Sequence, residues 1–248
     1  VIETVERLAG LARSLALYYG QPWRGRRFAR LYRPFVPRGG LCFDIGAHVG
    51  NRTRCFRRLG ARVVAVEPQA DCLAVLRLLY GTDAGVTIVP AAVGREPGAA
   101  TLYSAPRTPT VATLSPAWID AVRRDHRFAR VAWRQSGDVA VTTLAALIAA
   151  HGEPDFVKLD VEGYEAEALA GLDRAVRALS FEYVAATPAL TDACLSRLTA
   201  LGTYRYCWSE AESHVLVGDW LDAATLRRRL LDDRAGGASG DVYARRVD

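Results

Sequence analysis

Apolar residues in this chain come in short runs separated by longer amphipathic stretches, a pattern that predicts strands alternating with helices. Leu41-Cys42-Phe43 is one such run, and it ends in Asp44 and a glycine turn. A basic amphipathic segment follows, then Val63-Val64-Ala65-Val66, closed by Glu67-Pro68. The two runs lie too far apart for a hairpin, so parallel strands joined by a helix are the natural solution. A second helix is predicted from about Asp71 to Tyr80, with Leu73, Leu76 and Leu79 on one face. After turn residues at Gly81 to Gly85, Val86-Thr87-Ile88-Val89 reads as a third strand, followed by Pro90-Ala91-Ala92-Val93-Gly94. This alternation points to an α/β fold with a doubly wound, mostly parallel sheet.

The alternation breaks over residues 95–138. That stretch holds four prolines, a predicted strand at Thr101-Leu102-Tyr103 and a helix around Pro116 to Arg124, together with Trp118, His126, Phe128 and Trp133. In open α/β sheets ligands sit beyond the carboxyl ends of the strands, so an insertion here is placed to act as a lid over a substrate. Regular structure resumes with Val139-Ala140-Val141 and a helix from Thr143 to His151, capped by Thr142 or Thr143 and ended by Gly152-Glu153-Pro154. Asp155 to Asp160 is the fourth core strand, Val161-Glu162-Gly163 its turn, and Tyr164 to Leu172 the next helix. Leu179 to Val184 is the fifth strand, followed by a helix through Thr191 to Leu201. Tyr204 to Trp208, His214 to Val217 and Val242 to Arg245 read as closing, antiparallel strands, Trp220 to Leu231 as a helix and Asp232 to Gly240 as a flexible loop.

Ahead of the sheet, Ile2, Val5, Leu8, Leu11 and Leu15 recur at helical spacing and predict an amphipathic helix packed on the domain. Gln21 to Arg38 is basic and aromatic, with Trp23, Arg24, Phe28, Arg30 and Tyr32 among its residues. It suits a cap over the substrate or a binder of anionic groups, or, slightly favoured, a solvated connector that packs its aromatics on the domain edge. The division expected is a helical, basic cap segment over 1–40 and one catalytic domain over 41–248.

Composition narrows the picture only slightly. The chain has 248 residues, half of them apolar, which is enough for a full core in one large domain. No run is long enough for a membrane span, and Glu3, Glu6, Arg7 and Arg13 interrupt the start too often for a signal peptide, so a cytoplasmic location is expected. Five cysteines show neither a C-x-x-C pair nor metal-type spacing with histidine, so reduced buried thiols are expected and no metal. The net charge of +5 rests on arginine, since Lys158 is the only lysine. The chain contains no methionine.

Chemistry concentrates at two motifs. The first turn reads D-I-G-A-H-V-G, with glycines at 46 and 50. It lacks the early second glycine of G-x-G-x-x-G, which lets a backbone approach a pyrophosphate. Glu67 lies 21 residues after Gly46, close to the spacing that places a carboxylate on ribose hydroxyls. Asp44, Gly46, Gly50 and Glu67 thus offer what adenosylmethionine needs: room at the turn, an acid near its amino end, an acid for the ribose, and no phosphate cradle. The second motif is the D-F-V-K-L-D-V-E-G stretch, Asp155 to Gly163.

The stretches F-D-I-G-A-H-V-G-N-R-T with V-E-P, P-D-F-V-K-L-D-V-E-G-Y-E-A-E-A-L-A-G-L, and S-F-E-Y, in that order, resemble the FkbM family of class I methyltransferases dependent on S-adenosyl-L-methionine. The resemblance spans about Leu41 to Val184, and S-G-D-V-Y-A-R at 239–245 is similar to some members. Members usually carry asparagine where this chain has His48, and often Leu-Asp-Asp where it has Leu144-Ala145-Ala146. The resemblance implies a Rossmann-like, seven-stranded sheet with helices on both faces and an antiparallel C-terminal edge. It implies that Asp44, Gly46, Ala47, His48, Gly50, Asn51 and Thr53 form the methionine-end pocket, that Glu67 and Pro68 hold the ribose, and that Ala91 or Ala92 lies near the adenine. Asp160 and Glu162 should face the reacting methyl.

On an extended strand Phe156, Lys158 and Asp160 share one face, which brings Asp160 to the crevice beside the first strand. Asp160 is the leading base for an alcohol acceptor, with Glu162 and His126 as rivals, but it would serve equally to order cofactor or water. Glu162 is better read as a cap for the following helix, and His126, in an arginine-rich helix end, as a surface residue. Lys158, inside a central strand, needs an acidic partner such as Asp160 or Asp44, and a buried ion pair is favoured over catalysis. Arginines 52, 54, 57 and 58 and 123, 124, 127 and 130 invite a nucleic-acid reading but fall on helix faces where arginine is commonly solvated. The D-V-E-G turn also lacks the Asn-Pro-Pro-aromatic pattern of base-amine methylation. The expected activity is O-methylation of a small-molecule hydroxyl on a sugar, glycolipid or polyketide-type product. The alternatives are an RNA methyltransferase or a non-catalytic nucleotide- or partner-binding fold.

Overall fold

The computed structural model describes residues 2–232 and 239–247. In chain order its elements are α1 (Ile2–Tyr19), α2 (Pro22–Tyr32), β1 (Leu41–Ile45), α3 (Asn51–Leu59), β2 (Arg62–Val66), α4 (Ala70–Tyr80), β3 (Val86–Val89), β4 (Ala92–Val93) and β5 (Gly98–Ser104). There follow α5 (Pro116–Val122), β6 (Arg134–Thr142), α6 (Leu144–His151), β7 (Phe156–Leu159), α7 (Glu165–Ala170), β8 (Ala178–Val184) and α8 (Pro188–Leu201). The chain closes with β9 (Tyr204–Glu210), β10 (Val217–Leu221), α9 (Ala223–Arg227) and β11 (Ser239–Arg246).

The main sheet runs β10-β9-β11-β8-β7-β1-β2-β3. From β8 to β3 all pairings are parallel, whereas β11 is antiparallel to both β8 and β9, and β10 to β9. The doubly wound sheet with an antiparallel C-terminal edge is therefore present. It has eight strands rather than the seven expected, because β10 adds an outer strand. Val139 to Val141 leave the main sheet altogether and join β5 and β4 in a three-stranded side sheet.

Side chains on β1 alternate between two cores, as a strand covered on both faces requires. Leu41, Phe43 and Ile45 enter one core with Val64, Val157, Leu169 and Leu195. Cys42 enters the other with Phe56, Phe156, Tyr32, Phe35 and Tyr243. Phe28, Leu31 and Tyr32 of α2 and Phe35 after it are part of that second core, so these aromatics of the basic segment are structural, while Arg26, Arg27, Arg30 and Arg33 remain at the surface. All five cysteines are buried and free.

Several boundaries differ from the sequence expectation. On α1 the predicted apolar face is only partly buried: Val5 and Leu8 are exposed and Leu11 and Leu15 half-buried, while Gly10 and Ser14 are buried. A Cβ at Gly10 would stand 2.3 Å from the carbonyl of Pro106, so close approach of two backbones outweighs leucine burial there. Leu79 of α4 is likewise exposed, with Leu73 and Leu76 buried. Trp220 and Leu221 belong to β10, not to a helix, and Asp222 then starts α9 by accepting from the Thr225 amide. Thr143, not Thr142, caps α6. The loop expected over Asp232 to Gly240 lies largely outside the described residues, with β11 already formed at Ser239.

Candidate functional site

The carboxyl ends of β1 and β7 meet in one tight junction. Gly46 adopts φ +78°, its amide and that of Ala47 donate to the Val66 carbonyl, and the Asp160 amide donates to Ile45. A Cβ at position 46 would lie 1.9 Å from the Asp160 carbonyl oxygen. Glycine is required there for both its conformation and its missing side chain. Asp44 is buried behind the turn and accepts from the Thr53 hydroxyl at 2.5 Å. Burial raises its carboxyl above the usual range, and the Thr53 bond opposes that.

Glu67, at the end of β2, is 2% exposed. One of its oxygens accepts from the His48 amide and the other from the Gln69 amide, each at 2.8 Å. Burial pushes its pKa up to about 7 although both amides pull it down. His48, held at φ +50°, is lowered to about 4 by burial and so is neutral at physiological pH.

Two adjoining cavities open at this junction and share Gly46, His48, Thr110, Asp160 and Glu162. The narrow one runs along Glu67, Pro68, Ala91 and Ala92 and is roofed by Pro109 to Leu114 of the insertion. The wider one, about 370 Å³, is polar and takes in Tyr18 of α1, Asn51, Arg52, Arg127, Glu182, His214, Ser239 and Asp241. Of the residues expected at the site, Gly46, His48, Asn51, Glu67, Pro68, Ala91, Ala92, Asp160 and Glu162 line these cavities. Asp44, Ala47, Gly50, Thr53 and Lys158 are packed behind the lining, where they shape the turn and the strand ends. His126 is brought to neither cavity: its side chain is 94% exposed and lies 3.6 Å from Asp125.

Lys158 is fully buried, with Nζ 2.9 Å from Asp241, 3.0 Å from the Leu159 carbonyl and 3.3 Å from Asp160. The expected ion pair is there, but its second partner is Asp241 from β11 rather than Asp44. Burial alone would lower the lysine pKa; Asp160 and Asp241 more than reverse this and raise it. The loop after β7 is held by Glu165, which accepts from the Val161 and Gly163 amides at 3.0 Å each. Burial pushes Glu165 up to about 7. The capping role considered for Glu162 is not filled by it: the N-cap of α7 is Tyr164, with no side-chain cap hydrogen bond, and Glu162 sits at φ +51° against both cavities.

Asp160, Glu162 and Glu182 each place an oxygen within 4.8 Å of the others. Burial, then mutual repulsion and Asp160, raises Glu162 and Glu182 well above the ordinary carboxylate range. The spacing of this grouping would admit a divalent cation, though carboxylate clusters are common without one. Glu165, Glu182, Asp241 and Arg52 were not singled out from the sequence. Their roles depend on β8, β11 and α3 converging, and only the acid in S-F-E-Y carried a local signal.

A parallel sheet with a glycine turn after β1, an acid ending β2 and a carboxylate loop after β7 defines a class I, Rossmann-like methyltransferase. The chain belongs to the FkbM methyltransferase family: the model of the methyltransferase FkbM domain matches residues 44–202. Its cofactor is S-adenosylmethionine. Among curated proteins no sequence match is found. Solved structures with a similar fold include a precorrin-6y C5,15-methyltransferase from Geobacter metallireducens, at 13% identity over 89% of this chain and 86% of that one, with a TM-score of 0.46. Others are an rRNA methylase from Streptococcus thermophilus (10% identity, 89% and 94% covered, TM-score 0.44) and a TehB-like methyltransferase from Corynebacterium glutamicum (13% identity, 95% and 100% covered, TM-score 0.43). Among the described residues no helix is long and apolar enough to cross a membrane.

Proposed function

We propose that this methyltransferase acts on oxygen, methylating a hydroxyl of a sugar, glycolipid or polyketide-type product. The observation that carries the reading is the wide polar cavity adjoining the narrow cleft, with Asp160 and Glu162 on their shared wall. Carboxylates, Asn51, Ser239 and Tyr18 around it suit an acceptor with several hydroxyls, each able to donate or accept.

When bound, S-adenosylmethionine supplies a methyl group on a positively charged sulfur. The remaining work falls to this chain's residues. Glu67 accepts from the ribose hydroxyls with the lone pairs that His48 and Gln69 leave open. Ala91 and Ala92 leave room for the adenine, and Asn51 borders the methionine end. The acceptor hydroxyl must approach the methyl from the side opposite sulfur, so positioning contributes much of the barrier reduction. Asp160 takes the hydroxyl proton as general base, with Lys158 fixing its carboxylate at 3.3 Å.

The direct test is an acceptor panel of glycosides, hydroxylated aglycones and short RNA incubated with methyl-labelled donor. Label on a hydroxyl of a glycoside or aglycone is the expected result; label confined to RNA would overturn the reading.

A pH dependence follows from Glu67. Ribose hydroxyls bind best to the ionised carboxylate, and the group titrates at about 7. Affinity for S-adenosylhomocysteine should therefore hold above pH 7 and fall as pH drops, approaching about tenfold per unit. Calorimetry from pH 5.5 to 8.5 checks this, and Glu67→Ala should flatten the profile. That variant also strips two amides of their acceptor, so a stability loss of roughly 1–3 kcal/mol accompanies the lost affinity.

A further inference from the structure

Residues 20–67 hold eleven arginines against two acids, Asp44 and Glu67, and both acids are buried. Arg52 is buried against Phe28, and Arg57 is tied to Asp83 by two hydrogen bonds. On α2, Arg26, Arg30 and Arg33 recur at i, i+4 and i+7 and so share one face, with Arg27 next to them; all four are exposed. Arg38 and Arg58 are exposed too and extend the same surface. A Cβ on Gly25 of α2 would come 3.4 Å from the Arg58 guanidinium, and one on Gly60, which caps α3, 3.6 Å from the Arg38 side chain.

Elsewhere this chain neutralises its arginines: Arg95 meets Glu167, Arg127 meets Asp125 and Arg227 meets Asp192. Among the described residues no acid pairs with any of the six on this face, and α2 itself carries none. Like charges at i and i+4 weaken a helix, so Arg26 and Arg30 destabilise α2 with no acid to offset them. A face of this kind is complementary to a dense array of phosphates, each of which a guanidinium fork can bind through two hydrogen bonds.

Helix α1, which leads into α2 through Gly20 and Gln21, distinguishes between polyanions. Val5 and Leu8 stand 60% and 61% exposed on it, with Leu17 and Arg13 also turned to solvent. Glu6, half-buried, is paired with Arg107. Apolar side chains facing water next to arginines are the composition of a helix that lies in a lipid headgroup layer. A nucleic acid would instead call for rings on which bases stack, yet Phe28, Tyr32 and Phe35, the aromatics between Arg26 and Arg38, are buried. A symmetric pair of chains would set arginine against arginine.

We infer that α1, α2 and the outer side of α3 form a docking surface for an anionic phospholipid bilayer. The arginines contact headgroup phosphates, and Val5 and Leu8 enter the interface. Tyr18 of α1 and Asn51 of α3 also line the wide cavity, so the docking helices are walls of that cavity. Within the O-methylation reading this favours a glycolipid among the acceptors; the docking itself does not rest on that reading.

The test is co-sedimentation of the protein with vesicles of phosphatidylglycerol and phosphatidylcholine in equal parts, with vesicles of phosphatidylcholine alone, and with no vesicles, at low and high salt. Binding to the first kind only, weakened by salt, is the expected result. The triple variant Arg26→Gln, Arg30→Gln, Arg33→Gln should bind those vesicles about 100-fold more weakly, since each arginine near such a surface contributes about fivefold. Val5→Ser with Leu8→Ser should weaken binding roughly tenfold. All five side chains are exposed, so both variants should unfold at the wild-type midpoint and bind S-adenosylhomocysteine as the wild type does. Equal binding to both kinds of vesicle, or either variant binding like the wild type, overturns the proposal. So does capture of duplex RNA in place of vesicles, which assigns the face to nucleic acid. Pelleting without vesicles that Val5→Ser with Leu8→Ser abolishes also overturns it and assigns α1 to a second copy of the chain. None of these readouts depends on which atom is methylated.

Discussion

Asp160→Asn should lower turnover by roughly 10²- to 10⁴-fold while affinity for S-adenosylhomocysteine stays within about threefold. Asparagine preserves the shape of the junction and can still accept a hydrogen bond, but it cannot take a proton from an alcohol. Asp160 is one of two acids on the wall common to both cavities, and its backbone is pinned by the Asp160 amide to Ile45 bond and by contact with Gly46. Single-turnover kinetics beside calorimetry separates the two readouts. Equal losses in rate and affinity would make Asp160 a binding residue and shift the base to Glu162, whose raised pKa makes it the stronger proton acceptor once ionised.

Lys158→Met should cost the fold roughly 3–5 kcal/mol. Methionine fills most of the volume but strands Asp241 and Asp160 near the protein interior without their ammonium. In the native protein burial would raise Asp241, yet Lys158 and then Arg52 hold it below the ordinary carboxylate range. A depressed folded pKa contributes stability that is present above the unfolded value and lost as pH falls through the folded one. The deficit of Lys158→Met should therefore be largest at neutral pH and shrink at acidic pH, where protonation relieves the stranded acids. Urea denaturation at pH 8 and pH 4.5 measures both values; a loss below about 1 kcal/mol at pH 8 would rule out a structural ion pair.

Local pattern carried the parallel half of the sheet because β1, β2, β7 and β8 are runs of mostly buried residues bounded by turn chemistry. Gly46, Glu67 and Asp160 were legible for the same reason: each closes such a run, and strand ends are where this architecture collects its ligands. Long-range pairing was not legible. Asp241 partners Lys158 across 83 residues, a relation created by the insertion of β11 between β8 and β9. Arg52 reads as solvated on a helical wheel, since nothing near it in sequence announces that Phe28 of α2 will cover it. Val5 and Leu8 mislead in the opposite direction: their spacing promises burial, but α1 approaches its neighbour through glycine. The insertion was recognisable from its prolines and broken alternation, whereas its contribution of Pro109 to Leu114 to the narrow cleft required the fold.

The missing side chain at Gly46 has a mechanical consequence. With under a methyl group's clearance between that turn and the Asp160 carbonyl, the turn after β1 and the end of β7 behave as a single rigid jaw. Neither can shift on its own to admit a larger acceptor. Variation in what this enzyme accepts must then come from the other side of the cavity, from α1, the insertion and the β11 strand that face the jaw.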